Sequence, residues 1–279
     1  MTSAKDGLER ISLILVGVAA MTAVFSRPAS AQLYDEKWTL NFGGELSTFS
    51  SKAQLDSEET GNGTEIDLER NLGLVERKTN FRFEGAYRFS RKNQLEMGFS
   101  QRVRSNTHIL DRDIEWGGVT YPVEGQIKTR FSTNLFQAAW KHSLLAADAV
   151  EAGFSLGLSS FWLSASIAGE GEVTGGEIRY ETKRSDFVAP VPVVGLFLNW
   201  AMSRNVVLRV SGDYFDATYQ GRNATLTEAT GAIDVTPWEN VGLGLAYNWS
   251  NLEYNRGERA SLRVDLTTEA LFGYVRVVF

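Results

Sequence analysis

Between Thr79 and Phe89 every second residue is apolar or glycine (Phe81, Phe83, Gly85, Tyr87, Phe89), while Arg82, Glu84 and Arg88 fall between them. A helix would scatter the two sets around its surface, whereas a strand places them on opposite faces. The same period returns at Leu95–Arg104, where Leu95, Met97, Phe99 and Val103 oppose Glu96, Ser100, Arg102 and Arg104. It returns again at Val206–Tyr214 and Val241–Trp249. A chain of such segments builds antiparallel sheet with one greasy and one polar face. A soluble sandwich and a membrane barrel both satisfy that description.

Three features favour the barrel. Aromatics stand at the ends of the apolar faces (Phe89, Trp140, Trp162, Trp200, Trp238, Trp249), where the two bilayer interfaces would need them. Charges of both signs occupy the polar faces inside strands, which a dry sandwich core would reject. Short and long connections alternate. Tight turns fall at Ser90–Asn93, Ala146–Ala149, Met202–Asn205 and Pro237–Asn240, and longer links near 54–76, 105–125 and 169–185, with shorter ones near 220–224 and 255–260.

Those connections predict an all-β, closed antiparallel transmembrane barrel of ten strands: 38–53, 77–89, 94–105, 126–144, 150–168, 186–201, 206–220, 224–236, 241–254 and 261–279. If 224–236 were a loop, eight strands would remain. In the fourth strand either Leu135 and Ala139 or Phe136 and Trp140 face lipid. The longest uncharged internal stretches, Ala152–Gly169 and Phe187–Ser203, carry glycines, serines or prolines at strand period, so no transmembrane helix is expected.

The N-terminus reads as an export signal. Lys5 and Arg10 precede an uncharged run from Ile11 to Ser26, and Ala29-Ser30-Ala31 before Gln32 gives the small-x-small cleavage pattern. Residues 1–31 are therefore expected to be a cleaved signal peptide and 32–279 the barrel. The last strand ends Leu271-Phe272-Gly273-Tyr274-Val275-Arg276-Val277-Val278-Phe279, with an apolar row counted back by twos from Phe279. This terminal aromatic strand resembles the signal that bacterial outer-membrane proteins present to the barrel-assembly machinery. With the alternation and the export signal, the chain resembles small Gram-negative outer-membrane β-barrels of the broad OmpA/OmpW-like type. The resemblance implies residence in the cell outer membrane. It also implies contact with outer-membrane lipid and lipopolysaccharide, and passage through periplasmic chaperones and the assembly machinery, with Phe279 as assembly signal. No peptidoglycan-binding domain follows the barrel, so a tethering role is not implied.

Chemistry is sparse. With two histidines and no cysteine, a zinc site has almost no ligands, and a net charge of −6 without a basic face argues against nucleic acid. No cofactor is expected. His142 and Ser143 are adjacent, so a strand puts them on opposite faces. His108 with Asp111 and Asp113 resembles the ten-stranded omptin proteases, which use two carboxylates on one side of the barrel mouth and a His–Asp pair on the other. The second partnership is not visible here. Asp111, Asp113 and Glu115 alternate and are weak candidates for a hard cation, but lack calcium-loop spacing. The acidic run Asp56, Glu58, Glu59, Glu65, Asp67 and Glu69 reads as a solvated outer loop.

The inner faces hold Glu45, Arg82, Glu84, Arg88, Glu96, Arg102, Arg209, Asp213, Glu228, Asp234 and Arg276, five arginines against six carboxylates. Charges this dense in a narrow barrel must pair or stay hydrated. An ion-pair network plugging the lumen is expected, with Arg276→Met costing about 3–5 kcal/mol if its pair is buried. The functional expectation is a non-enzymatic barrel with a side-chain-filled lumen and a structural or surface-interaction role. Ten strands enclose little beside side chains, whereas open pores need about 16–18. The alternatives are a narrow channel for ions or small solutes, then a lipid-acting enzyme or protease.

Overall fold

The computed structural model describes residues 36–56, 63–116, 118–173, 177–219, 221–257 and 262–279, so the expected signal segment lies outside the described residues. Thirteen strands follow in chain order: β1 Trp38–Leu55, β2 Ile66–Asp67, β3 Arg77–Ser90, β4 Asn93–Ile109, β5 Ile114–Trp116, β6 Val119–Tyr121, β7 Gln126–Ala146, β8 Val150–Val173, β9 Glu177–Ser203, β10 Val206–Tyr219, β11 Arg222–Val235, β12 Val241–Arg256 and β13 Leu262–Val278. Ten of them close a ring, β1–β3–β4–β7–β8–β9–β10–β11–β12–β13, with β13 returning to β1. Every pairing is antiparallel. The closing seam runs from Thr39↔Val278 to Leu55↔Leu262, and beneath it Phe279 exchanges backbone hydrogen bonds with Trp38. The segment 224–236 is strand β11, so the count is ten and not eight.

Alternation decides what each face meets. Phe42, Leu46, Phe81, Phe83, Leu95, Met97, Phe99, Leu158, Leu198, Leu243, Leu245 and Leu271 are exposed on the outside, with Phe81 at 60% and Leu196 at 70%. A continuous apolar band of this extent has no place in water and fits hydrocarbon. On β7 the odd residues Phe131 and Leu135 are buried inside, which turns Phe136 and Trp140 outward and resolves the fourth strand. At 24 and 27 residues, β8 and β9 are far longer than the roughly 9–11 needed to cross a bilayer, so their hairpin projects past the long-link end.

The long links do not simply hang in solvent. Chain 63–76 adds β2 beside β1 and buries Ile66, Leu68, Leu72 and Leu74. Chain 110–125 forms the β5–β6 hairpin, joins β8 through Val119↔Val173, and buries Leu110, Ile114, Trp116 and Tyr121. Thr64 N–H bonds Glu115 O at 3.2 Å and Glu115 N–H bonds Thr64 Oγ1 at 3.1 Å, which ties the two links together. They pack with inward residues of the wall, among them Phe131, Leu163, Leu226 and Leu252, into one apolar cluster. The result is a cap in the outer mouth.

Candidate functional site

Below the cap the inward side chains turn polar, and the boundary is an ion trio. Glu45 is fully buried on β1. Its Oε2 accepts Arg82 Nη1 at 2.9 Å from β3, and its Oε1 accepts Arg102 Nε at 2.8 Å from β4 and Ser47 Oγ at 2.8 Å. Arg82 also donates to Glu84 Oε1 at 2.9 Å and lies over the Phe272 ring at 5.3 Å. Two cations on one carboxylate, with Arg82 held by Glu84 as well, is the arrangement that lets buried charges persist.

Further down, a cavity of about 940 Å³ occupies the lumen. Its lining runs from Gln137 and Glu228 to the short-turn rim at Asn205, Trp238 and Asn240, so it opens at that end. Ion pairs cross its walls. Arg88 clasps both oxygens of Glu151 at 2.9 and 3.0 Å, and Glu151 also accepts Ser143 Oγ at 2.5 Å and Asn199 Nδ2 at 3.0 Å. Lys141 Nζ stands 2.7 Å from Glu96 and 5.1 Å from the Phe197 ring centre. Asp234 sits between Arg209 Nε at 2.7 Å and the Tyr274 hydroxyl, which donates to it at 2.6 Å. Arg276 bonds Glu36 at 2.5 Å and stands 3.6 Å from Asp234. Tyr274 fits because Gly244 faces it: a Cβ there would meet the ring at 2.1 Å.

Asp213 and Glu228 differ from the rest. They are direct register partners on β10 and β11, and they accept from Ser155 Oγ at 2.9 Å and from Gln137 Nε2 at 3.0 Å. Gly195 makes room for the Asp213 carboxylate, since a Cβ there would lie 2.1 Å from Oδ1.

All eleven inner-face residues named from sequence thus line the lumen or its boundary, but the network walls a chamber and does not fill it. The filling is apolar and lies above. Sequence reading missed Lys141 and Glu151 because the face of β7 was open and Glu151 borders an uncharged run. It also missed Glu36 and Tyr274. The acidic outer run holds a buried member: Glu69 accepts Ser51 N–H at 2.8 Å and pairs with Arg104, whose guanidinium also bonds Ser51 Oγ at 2.8 Å and lies 4.2 Å from the Phe49 ring centre. Arg104 is the one buried cation-to-carboxylate lock between wall and cap among the described residues.

The other candidates disperse. Asp111 and Asp113 are exposed on a bend outside any strand, Asp113 accepts Val123 N–H at 2.7 Å, and Glu115 lies in β5. No group of three potential ligands is arranged for a metal among the described residues. His142 faces outward with Trp140 and Phe154 and contacts Asn93 Oδ1 at 2.9 Å, while Ser143 faces inward. His108 packs over Gly73, where φ of +61° favours glycine and an added Cβ would meet the ring at 2.8 Å. It belongs to the underside of the cap. Phe279 is exposed at the short-turn rim.

No protein-family model and no curated protein matches the chain. Among solved structures, the outer membrane protease OmpT of Escherichia coli superposes with a TM-score of 0.54 at 11% identity, over 86% of this chain and 97% of that one. The toluene transporter TodX of Pseudomonas putida gives 0.34 at 8% identity over 88% and 90%, and OprG of Pseudomonas aeruginosa gives 0.34 at 11% over 90% and 99%. These are Gram-negative outer-membrane β-barrel proteins, and the likeness to the first is one of fold.

Proposed function

We propose that this chain is a non-enzymatic integral barrel of the Gram-negative outer membrane, closed to solutes from outside and acting at the surface through its folded cap. One observation carries the reading: the outer half of the lumen is a continuous apolar cluster tied to the wall by Arg104 and Glu69. Water and ions have no polar route through such a core. Export by cleavage after Ala31, contact with lipid and lipopolysaccharide, and recognition of the Phe279 strand by chaperones and assembly machinery belong to the same proposal. The likeness to a protease does not extend it towards hydrolysis, because His108 and His142 stand at opposite ends of the wall on β4 and β7, each committed to packing.

The chamber favours a second reading, a narrow channel whose cap opens, since about 940 Å³ of polar space is more than packing requires. Planar-bilayer recording of the purified protein separates the two. The closed barrel gives no stable conductance steps. Reproducible steps from the native chain reject it in favour of the channel.

A further inference from the structure

Above its apolar band the outer wall changes character on one side. On β7 the outward residues run Phe136, Asn134, Ser132, Arg130 and Lys128 towards the long-link end. Register fixes their neighbours: Phe136 meets Phe99 of β4, Asn134 meets Trp162 of β8, and Arg130 meets Ser105 of β4 and Ser166 of β8. Ser166 in turn meets Arg184 of β9, so Ser105, Arg130, Ser166 and Arg184 form one outward row across four strands. Lys128 stands at the next outward position of β7, above Arg130.

The level of this row is set by Trp162, which is 41% exposed at the upper edge of the apolar band, where an aromatic marks the bilayer interface. Ser166 lies four residues further along β8, about 13 Å of strand and about 10 Å of height once the strand is tilted, which reaches into the headgroup layer. Lys128, Arg130 and Arg184 are all exposed there. Among the described residues no carboxylate pairs with Lys128 or Arg130, and Asp186, the acid beside the row, is held by Arg184 at 2.6 Å. Glu170 stands four residues beyond Ser166, outside the row.

The far wall carries the opposite sign at the same level. Four residues past Trp249 on β12, Glu253 is the register partner of Asp265 on β13, and both are exposed. A ligand drawn to one side is repelled by the other.

We infer that the β7–β9 row is a docking site for the anionic phosphate of an outer-leaflet lipid, whose acyl chains lie on Phe99, Phe136 and Leu158 below. Two exposed guanidiniums flank a hydroxyl, and each can give paired N–H bonds to phosphate oxygens, while Lys128 adds a point charge. A neutral headgroup would leave these cations uncompensated, and a soluble anion would make no use of the apolar wall beneath them. The site rests on the outer-membrane reading above and adds which lipid chemistry the barrel meets and on which face.

The test reconstitutes the protein into phosphatidylcholine liposomes containing lipid A, extracts it in mild detergent and counts the retained lipid A by mass spectrometry. The native chain should retain several-fold more than Lys128→Gln with Arg130→Gln, and several-fold more lipid A than its dephosphorylated form. Lys52→Gln with Arg263→Gln removes the same charge from exposed positions beside the far wall and should retain as much as the native chain. Inorganic phosphate should not displace the lipid. Undiminished retention by the β7 double variant, an equal loss in the far-wall variant, indifference to dephosphorylation or displacement by inorganic phosphate overturns the site. Protease protection in the same liposomes is read separately. A chain that fails to insert rejects the outer-membrane reading and the site with it, whereas an inserted chain without this selectivity rejects the site alone.

Discussion

Along β7 the inward residues change character at one point: Ile127, Thr129, Phe131, Thr133 and Leu135 above, Gln137, Ala139 and Lys141 below. β8 makes the same change in the opposite chain direction, from Glu151, Ser155 and Ser159 to Phe161, Leu163 and Ile167. Both halves are enclosed by the same ten strands. They differ in how the lumen is occupied. The upper half is dry and filled by links folded back inside, so one buried ion pair there is expensive to disturb. The lower half is open at the short-turn rim, and its charges share several partners, so any one of them is cheaper to remove. Burial, more than the number of charges, sets what each residue contributes.

That contrast is broken most severely at the lock. Glu69→Leu leaves the Arg104 guanidinium, 2% exposed, without its carboxylate, and should destabilise by about 3–5 kcal/mol in urea unfolding of the reconstituted protein. A change within experimental error would mean the upper half is wetter than its packing shows. Next comes the cap core: Ile114→Ala removes a fully buried side chain, for about 2–4 kcal/mol and faster proteolysis of 110–125 from outside. Smaller again is Arg276→Met. Asp234 keeps Arg209 and Tyr274, and Glu36 is left on the lining of the open chamber, so the loss should be about 1–2 kcal/mol. This replaces the larger figure that burial would have implied. If Arg276→Met costs as much as Glu69→Leu, the two halves are not energetically distinct.

Much of the wall was legible because period two is a local property: Phe81 to Phe89 announces its faces without knowledge of any partner. The eleven inner charges followed from the same parity. The cap was not legible, because Leu68, Leu72, Leu74 and Leu110 lie in links with no sustained period, and their burial depends on a barrel mouth that closes only in three dimensions. Glu69 looked solvated for the same reason, as its partner Arg104 is 35 residues away on β4.

The central claim is a lumen shut from outside and open from the short-turn end, and side-selective labelling tests it most directly. Ser211 lines the chamber, and Ser211→Cys supplies the sole thiol of the chain. With the protein inserted in one orientation in vesicles, a membrane-impermeant thiol reagent should label Cys at 211 from the short-turn side and leave it untouched from the long-link side. Equal labelling from both sides would contradict the account.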